Sequence, residues 1–330
     1  MKTHILYFIK IPIFYSIVFC CLFLQPINSS LAQTRDRLLI KNLEKKSDLY
    51  EIQKLYKKTK LSYSQVFSSD NQAEFDSLFI QWPAFLKKFS IDHIKEIYIV
   101  KGLGSFGTVL KRKKQGHFIV LLNESLLSTA PNDWASKAEL KFLDSYSVYM
   151  SLLFDKKNVK KFEVRIENND EPILTLENVL IHEIGHIFGD LSGLTPRLFT
   201  KNENCYYPFY SKNLYCLSDY IALSAPPAKG LIDFYFLNEN EERWDILGFI
   251  DLSNSMANSS YSTIDTMINS NEFFAECFFS YVHCVLMKRP FFYTISTELE
   301  QFQVQNGFVA ERCSFEKSLI ELKITETFYR

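Results

Sequence analysis

The spacing of apolar residues predicts a helical N-terminal region followed by a region that contains both strands and helices. In residues 33–90 apolar positions recur every three or four residues among many charges, which predicts a small helical N-terminal region. The runs at 94–100, 117–122 and 160–166 are rich in β-branched and aromatic residues and predict strands. Residues 135–154 have helical periodicity. The pattern therefore predicts an α+β fold with a small mixed sheet.

A long helix is predicted after Pro172, a residue that suits the first helical turn. This helix is expected to run to Gly189 or beyond. Its apolar stripe, which we expect to pack in the core, consists of Leu180, Ile184, Ile187 and Leu191. Gly185 keeps the helix narrow at one point, where the backbone of another element can approach.

The same helix carries the sequence His182-Glu183-x-x-His186. Histidines four residues apart lie on one face of a helix, so both imidazoles can reach one metal ion, and zinc is the metal we expect. Glu183 is one position further round, beside the metal, where its carboxylate can take a proton from an attacking water. A catalytic zinc normally has three protein ligands, but a third histidine is absent from position 192, which is Ser192.

A further ligand is available in the apolar segment at 272–287. After position 272, Glu276 is the only residue of this segment that carries a formal charge at neutral pH, with histidine counted as neutral. A helix this apolar is buried, and a buried carboxylate needs a positive partner. Glu272 and Glu276 share a helix face, so we assign Glu272 as the third zinc ligand. Glu276 is then the acceptor of a hydrogen bond from a ligand imidazole, most simply that of His182. The reverse assignment of the two acids stays open, because spacing alone does not rank them.

Together the two motifs resemble the gluzincin pattern of zinc peptidases. More narrowly, IHEIGH followed by Asp190 and Gly193, with EFFAE at 272–276, resembles the catalytic domain of anthrax lethal factor and the related secreted Pro-Pro endopeptidases. The likeness is confined to these short motifs. It implies a zincin-like metallopeptidase fold, in which a small mixed sheet packs on the active-site helix, and a zinc endopeptidase activity.

The resemblance also implies a tyrosine that helps to stabilise the oxyanion of the transition state. Tyr261 takes this role here because it precedes the ligand Glu272, and Tyr281 is a weaker substitute. The distance along the chain from His186 to Glu272 is longer than in that family. We therefore interpret residues 194–260, which are rich in aromatic residues, as an insertion.

The N-terminus predicts a secretory signal peptide. Lys2 precedes the apolar run at 11–24, and the small residues Ser30 and Ala32 then offer a cleavage site after Ala32. The alternative is an uncleaved membrane anchor. The protein is expected to be secreted or periplasmic. The predicted organisation is a signal peptide at 1–32, a helical region at 33–90 and a catalytic domain at 91–330.

Composition limits the classes of partner. Hydrophobic residues make up 47% of the chain and charged residues 23%, with a formal net charge of −1. These values are those of a globular protein and offer no basic surface for nucleic acid. The expected partner is a peptide or protein substrate, with a membrane only if the N-terminal segment is uncleaved. The sequence does not indicate an oligomeric state.

The cysteines after the signal peptide allow a small number of pairings. Cys205 and Cys216 can close a short loop as a disulfide in an oxidising compartment. Cys277 and Cys284 would lie about 10.5 Å apart on one helix, which is too far for a disulfide. Either of these two can instead pair with Cys313.

Two other features resemble functional sites but are interpreted as structural. The glycine-rich stretch at 102–107 resembles a phosphate-binding loop, but no Asp-Phe-Gly or His-Arg-Asp sequence accompanies it, so we interpret it as a hairpin connection. The strand at 117–122 is expected to form the sheet edge on which a peptide docks. His283 would lie about 16 Å from Glu272 along a helix, so we interpret it as a core histidine.

The expected function is a secreted zinc-dependent endopeptidase that hydrolyses peptide bonds with a metal-activated water. The alternative from another class is a secreted zinc-binding, toxin-like or binding protein that keeps the zincin fold without turnover. A structural zinc site closed by a fourth ligand, such as Asp265, is a further alternative.

Overall fold

A central helix, buried along most of its length, organises the structure. The computed structural model describes residues 37–56, 60–111, 117–145, 161–195, 214–217, 220–223, 270–296 and 301–328. The helices in this part are α1 (Lys46–Leu55), α2 (Ser69–Gln81), α3 (Ala84–His93), α4 (Pro131–Ser145), α5 (Pro172–Ser192), α6 (Ser270–Ser280) and α7 (Ser314–Phe328). The strands are β1 (Ile40–Asn42), β2 (Ile94–Val100), β3 (Gly107–Lys111), β4 (Phe118–Asn123), β5 (Lys161–Arg165), β6 (Leu214–Leu217), β7 (Tyr220–Leu223), β8 (Phe292–Ser296) and β9 (Gln301–Gln305). A 3-10 helix, Glu124–Ser128, follows β4, and a π-helix, Tyr281–Leu286, continues α6. The described part is therefore α+β, as predicted.

The main sheet has four strands in the order β1-β2-β4-β3. The first three run parallel, and β3 is antiparallel to β4. The prediction that residues 117–122 form the sheet edge is wrong, because β4 lies between β2 and β3, and β3 is the edge strand. The glycine-rich stretch is not a hairpin connection either, since it joins β2 to β3, which are not neighbours. A smaller antiparallel sheet has the order β5-β8-β9, and β6 pairs with β7.

Alternating side chains give the main sheet two apolar faces. One face, which includes Ile97, Val109 and Val120, belongs to the same core as the apolar residues of α5 and α6. The other face, which includes Tyr98 and Leu121, packs with the helix α1. The 33–90 region contains α1, α2 and α3, as its periodicity predicts, and also the short strand β1, which the periodicity does not predict.

Side chains cover the outer edge of β1. The Asn42 amide bonds the backbone of Phe67 twice, donating to its carbonyl oxygen at 2.8 Å and accepting from its N–H at 3.0 Å. The N–H of Ile40 donates to Oε1 of Gln72 at 3.0 Å. The Gln72 amide thus occupies a position that a neighbouring strand would use, and the Asn42 amide joins β1 to the backbone at Phe67.

The helix α5 begins at Pro172 and ends at Ser192. The next residue, Gly193, has a φ of +69°, the left-handed conformation that glycine adopts readily. From 173 to 190 every residue is buried except His182 and His186, which are partly exposed. The expected stripe residues up to Ile187 are buried. Leu191 is 43% exposed, so its predicted place in the core is wrong. Continuous burial ends at residue 190, and the last turn of α5 reaches the surface.

A buried ion-pair network connects α5 to the segment after α6. A guanidinium nitrogen of Arg289 lies 2.5 Å from a carboxylate oxygen of Glu177 in α5 and 2.9 Å from one of Glu167. The indole N–H of Trp82 donates to the other Glu177 oxygen at 2.6 Å. Both carboxylates are almost fully buried, so they depend on this cation.

His283 is a buried histidine, as predicted. Its Nε2 faces two carbonyl oxygens, that of Ile166 at 2.7 Å and that of Pro290 at 3.2 Å. Because carbonyl oxygens only accept hydrogen bonds, Nε2 carries the proton of the neutral ring. Burial lowers the pKa of His283 to about 4, since a second proton would charge a ring that has no contact with solvent.

No described helix has the length and apolar character needed to cross a membrane. The predicted signal peptide lies outside the described residues.

Cys277, Cys284 and Cys313 are free thiols, so the pairing suggested for Cys313 does not occur. Cys205 lies outside the described residues, and its disulfide with Cys216 stays a prediction.

Replacing Arg289 with Met should lower the free energy of unfolding by about 3–5 kcal/mol, because two buried carboxylates lose their cation. The control is Lys88→Ala, which removes an exposed pair with Asp92 and should change stability by about 0–1 kcal/mol. Urea unfolding at neutral pH measures both. Similar losses in the two variants would contradict the role given to Arg289.

His283 should make stability depend on pH between about 6.5, its pKa in the unfolded chain, and about 4, its pKa in the folded protein. Its contribution is complete above this window. As the pH falls through it, the unfolded state binds a proton that the folded state does not, so up to about 1.4 kcal/mol is lost per pH unit. His283→Gln keeps an N–H donor for Ile166 but does not titrate.

The measurement is urea unfolding of both proteins at pH 7, 6 and 5. The difference in unfolding free energy between wild type and His283→Gln should shrink as the pH falls. A constant difference would show that His283 does not titrate on unfolding in this range.

Candidate metal centre

The helices α5 and α6 approach each other closely where Gly185 meets Ala275. A Cβ atom placed on Gly185 would lie 3.0 Å from both the Cα and the carbonyl oxygen of Ala275, and 3.3 Å from Cβ of Phe278. The close approach expected at Gly185 therefore occurs. A second tight contact follows one turn later, where a Cβ on Gly189 would lie 2.7 Å from Cγ2 of Thr195.

This crossing brings two histidines of α5 together with two glutamates of α6. His182 and His186 stand on either side of Gly185 in sequence, and Glu272 and Glu276 stand on either side of Ala275. Nε2 of His182 lies 3.2 Å from Oε2 of Glu272, and Nε2 of His186 lies 3.4 Å from the same oxygen. The two rings are 4.9 Å apart and nearly perpendicular.

These separations fit a tetrahedral ion. Ligand atoms about 2.0–2.1 Å from zinc, at tetrahedral angles, are about 3.3–3.4 Å apart. The two distances from Glu272 Oε2 to the imidazole nitrogens have this length. His182, Glu183 and His186 also form a group that can hold a metal ion, with ligand atoms within 4.8 Å of one another. Both carboxylates therefore lie close enough to the two imidazoles to share an ion with them.

The other nitrogen of His182 is held by Glu276. Nδ1 of His182 lies 2.8 Å from Oε1 of Glu276, so the Nδ1–H donates to the carboxylate. This bond fixes the ring orientation and leaves Nε2 as the nitrogen that faces Glu272. Glu276 is 6% exposed and Glu183 is 5% exposed, so these two carboxylates are buried, whereas the side chain of Glu272 is 32% exposed.

Within the cluster, His182 and Glu272 each stabilise the charged form of the other. Burial would lower the pKa of His182, but its hydrogen bonds to Glu272 and Glu276 and the charges of these carboxylates outweigh it, and the pKa is raised well above its usual value. Burial would likewise raise the pKa of Glu272, but the charge of His186 and the hydrogen bonds from both imidazoles hold it well below its usual value. Glu272 is therefore an anion that favours a cation beside it.

Glu183 behaves differently from Glu272 although the two carboxylates share one cluster. Burial raises the pKa of Glu183, the charges of His186 and His182 reduce this rise, and the charge of Glu272 adds to it. Groups whose pKa values are pushed apart by their surroundings often divide the roles of acid, base and ligand. This difference suits Glu272 to binding a cation and Glu183 to transferring a proton.

The edge strand β3 is fixed beside this cluster. At its start, Gly107 lies against the Glu183 side chain. At its end, Nζ of Lys111 lies 2.7 Å from a carboxylate oxygen of Asp190, which is in the last turn of α5 and almost fully buried. Two contacts thus align β3 with the part of α5 that carries the cluster.

Of the residues expected at the site, the structure brings together His182, Glu183, His186, Glu272 and Glu276. Tyr261 and Asp265 lie outside the described residues, as does most of the 194–260 segment. The hydroxyl of Tyr281 donates to Glu321 of α7 at 3.2 Å and is engaged away from the cluster.

Sequence reasoning missed Ala275, Gly107 and Lys111. Ala275 was detectable as the one small side chain between the two glutamates. The contacts of Gly107 and Lys111 depend on sheet order, which no local pattern contains. No protein-family model, curated protein or solved structure matches this chain.

Replacing Gly185 with Ala should lower the affinity for zinc by about 10–100-fold, because the added methyl group separates α5 from α6 and moves Glu272 from the imidazoles. Competition with a chromophoric chelator measures this affinity. Leu191→Ala, on the exposed last turn of α5, is the control and should bind zinc normally. Unchanged affinity in Gly185→Ala would show that the crossing distance does not set the ligand geometry.

Proposed function

We propose that this protein is a secreted zinc-dependent endopeptidase with a zincin-like fold, similar in its site to the gluzincins. His182, His186 and Glu272 would hold the zinc ion. Glu276 would orient His182, and Glu183 would act as the general base. The predicted signal peptide at 1–32 supports secretion.

The position of Glu272 carries the proposal. One carboxylate oxygen lies within 3.4 Å of both imidazole Nε2 atoms, although Glu272 is 90 residues from His182 along the chain. A depressed pKa keeps this carboxylate charged. Two imidazole nitrogens and one carboxylate oxygen are a common ligand set of catalytic zinc.

The chemistry divides between the ion and the chain. A bound zinc ion polarises the scissile carbonyl and lowers the pKa of the attacking water. Glu183 accepts a proton from that water and then donates it to the leaving amine, a role that its raised pKa favours. The Tyr261 hydroxyl would donate a hydrogen bond to the developing oxyanion.

The edge of β3 supports a peptide as the substrate. The N–H of Asn123 donates to the carbonyl of Phe106 at 2.8 Å, which identifies these two residues as a hydrogen-bonded pair. Alternation along the ladder then turns the backbone groups of Gly107, Val109 and Lys111 away from β4. No described strand pairs with that outer side. An extended peptide can add there as a further strand, beside Glu183.

Replacing Glu183 with Gln should keep zinc bound but reduce peptide hydrolysis by about 10²–10⁴-fold, because the amide cannot accept the proton. The measurement is cleavage of a peptide library by the secreted protein, with and without a chelator, and metal analysis of the same samples. Glu171→Gln, at the exposed start of α5, is the control and should retain activity.

The outcomes separate the proposal from its rivals. Cleavage that is lost with chelator and restored by zinc supports a zinc peptidase. Zinc binding without cleavage of any library member by the wild type would favour a binding protein instead. Full activity in Glu183→Gln would remove Glu183 from the role of base.

A further inference from the structure

Gly107 lies in the strand β3 without any conformational need for glycine. Its φ is not positive, unlike those of Gly102 and Gly193, so its backbone suits other amino acids. Glycine within a strand is unfavourable and often marks a place where another group approaches closely. The reason for glycine at this position is therefore the space beside it.

The carboxylate of Glu183 occupies that space. A Cβ atom on Gly107 would lie 2.5 Å from Oε1 of Glu183, 2.9 Å from its Cγ and 2.9 Å from Cγ1 of Val179. These distances are well below van der Waals contact. No side chain at position 107 is compatible with Glu183 where it lies.

The carboxylate consequently has neighbours from both β3 and α5. The backbone of β3 lies against it, and the ligand nitrogens of His182 and His186 are within 4.8 Å of it. The N–H of Asn123 in β4 donates to the carbonyl of Phe106, next to Gly107, at 2.8 Å, and the Lys111–Asp190 ion pair holds the far end of the strand. The strand that meets Glu183 is thus anchored at both ends.

We propose that Gly107 is a positioning residue that fixes the carboxylate of Glu183 next to the metal centre. This inference rests on the proposed role of Glu183 as the base. The glycine-rich stretch then has a function other than phosphate binding. It places a residue without a side chain at the position where a side chain would displace the carboxylate of Glu183.

The first experiment measures thermal unfolding of the zinc-saturated protein in two backgrounds. Gly107→Ala should lower the unfolding midpoint by about 3–8 °C in the wild type, because its methyl group overlaps Glu183. In Glu183→Ala the same substitution should cost less than half as much, or stabilise, since the overlapping carboxylate is gone and alanine suits a strand better than glycine.

The second experiment measures zinc affinity and turnover separately. Gly107→Ala should bind zinc like the wild type but have a kcat that is lower by about 10–100-fold, the effect of a small displacement of a catalytic group. Thr108→Ala is the matched control because the side chain of Thr108 points to the opposite face of β3. It should retain kcat.

Equal losses of thermal stability in the two backgrounds would overturn the proposal, because Gly107 would then serve the strand and not Glu183. A normal kcat in Gly107→Ala would also overturn it. If the wild type cleaves no peptide, the proposed function fails, while the comparison of unfolding midpoints still decides whether Gly107 and Glu183 are coupled.

Discussion

The contact between Gly185 and Ala275 is the constraint on which the candidate site depends. Side chains from two helices can meet at one ion only if the helix axes are close, and larger residues at the crossing would hold them apart. Each small residue is flanked by two of the polar residues, so the backbone contact itself sets their spacing. The buried ion pairs of Arg289 add a second attachment between α5 and the segment after α6, and this limits sliding of one helix along the other.

The surroundings of Glu183 and Glu272 give two identical side chains different properties. Glu272 faces both imidazoles and stays charged, while Glu183 lies between the sheet and the cluster, where burial dominates its pKa. The edge strand contributes to this difference because it shields one side of Glu183 from water. In the proposed function the sheet, the crossing and the cluster would act together: the crossing would supply the cation site, and the sheet would supply both the position of the base and a place for an extended chain.

Local patterns predicted the elements of the fold better than their arrangement. The spacing of His182 and His186 and the isolated charge of Glu276 in an apolar segment are local features, and these residues do lie together. The order of β2, β4 and β3 was not predictable, because strand pairing depends on residues far apart in the chain. For the same reason, the contact of Gly107 with Glu183 could not be predicted from the sequence. A glycine that only leaves room for a distant carboxylate resembles a flexible loop residue until the structure brings the two together.

The amide cap on β1 restricts how the described main sheet can associate with a second copy of itself. Because the Gln72 amide occupies the N–H of Ile40, the outer side of β3 is the margin of this sheet that remains open to a second copy. When the same surface of two molecules pairs with itself, the result is a closed dimer that cannot extend into a fibre. The same contact would occupy the outward backbone groups beside Glu183. Dimerisation by this route and access of an extended chain are thus mutually exclusive.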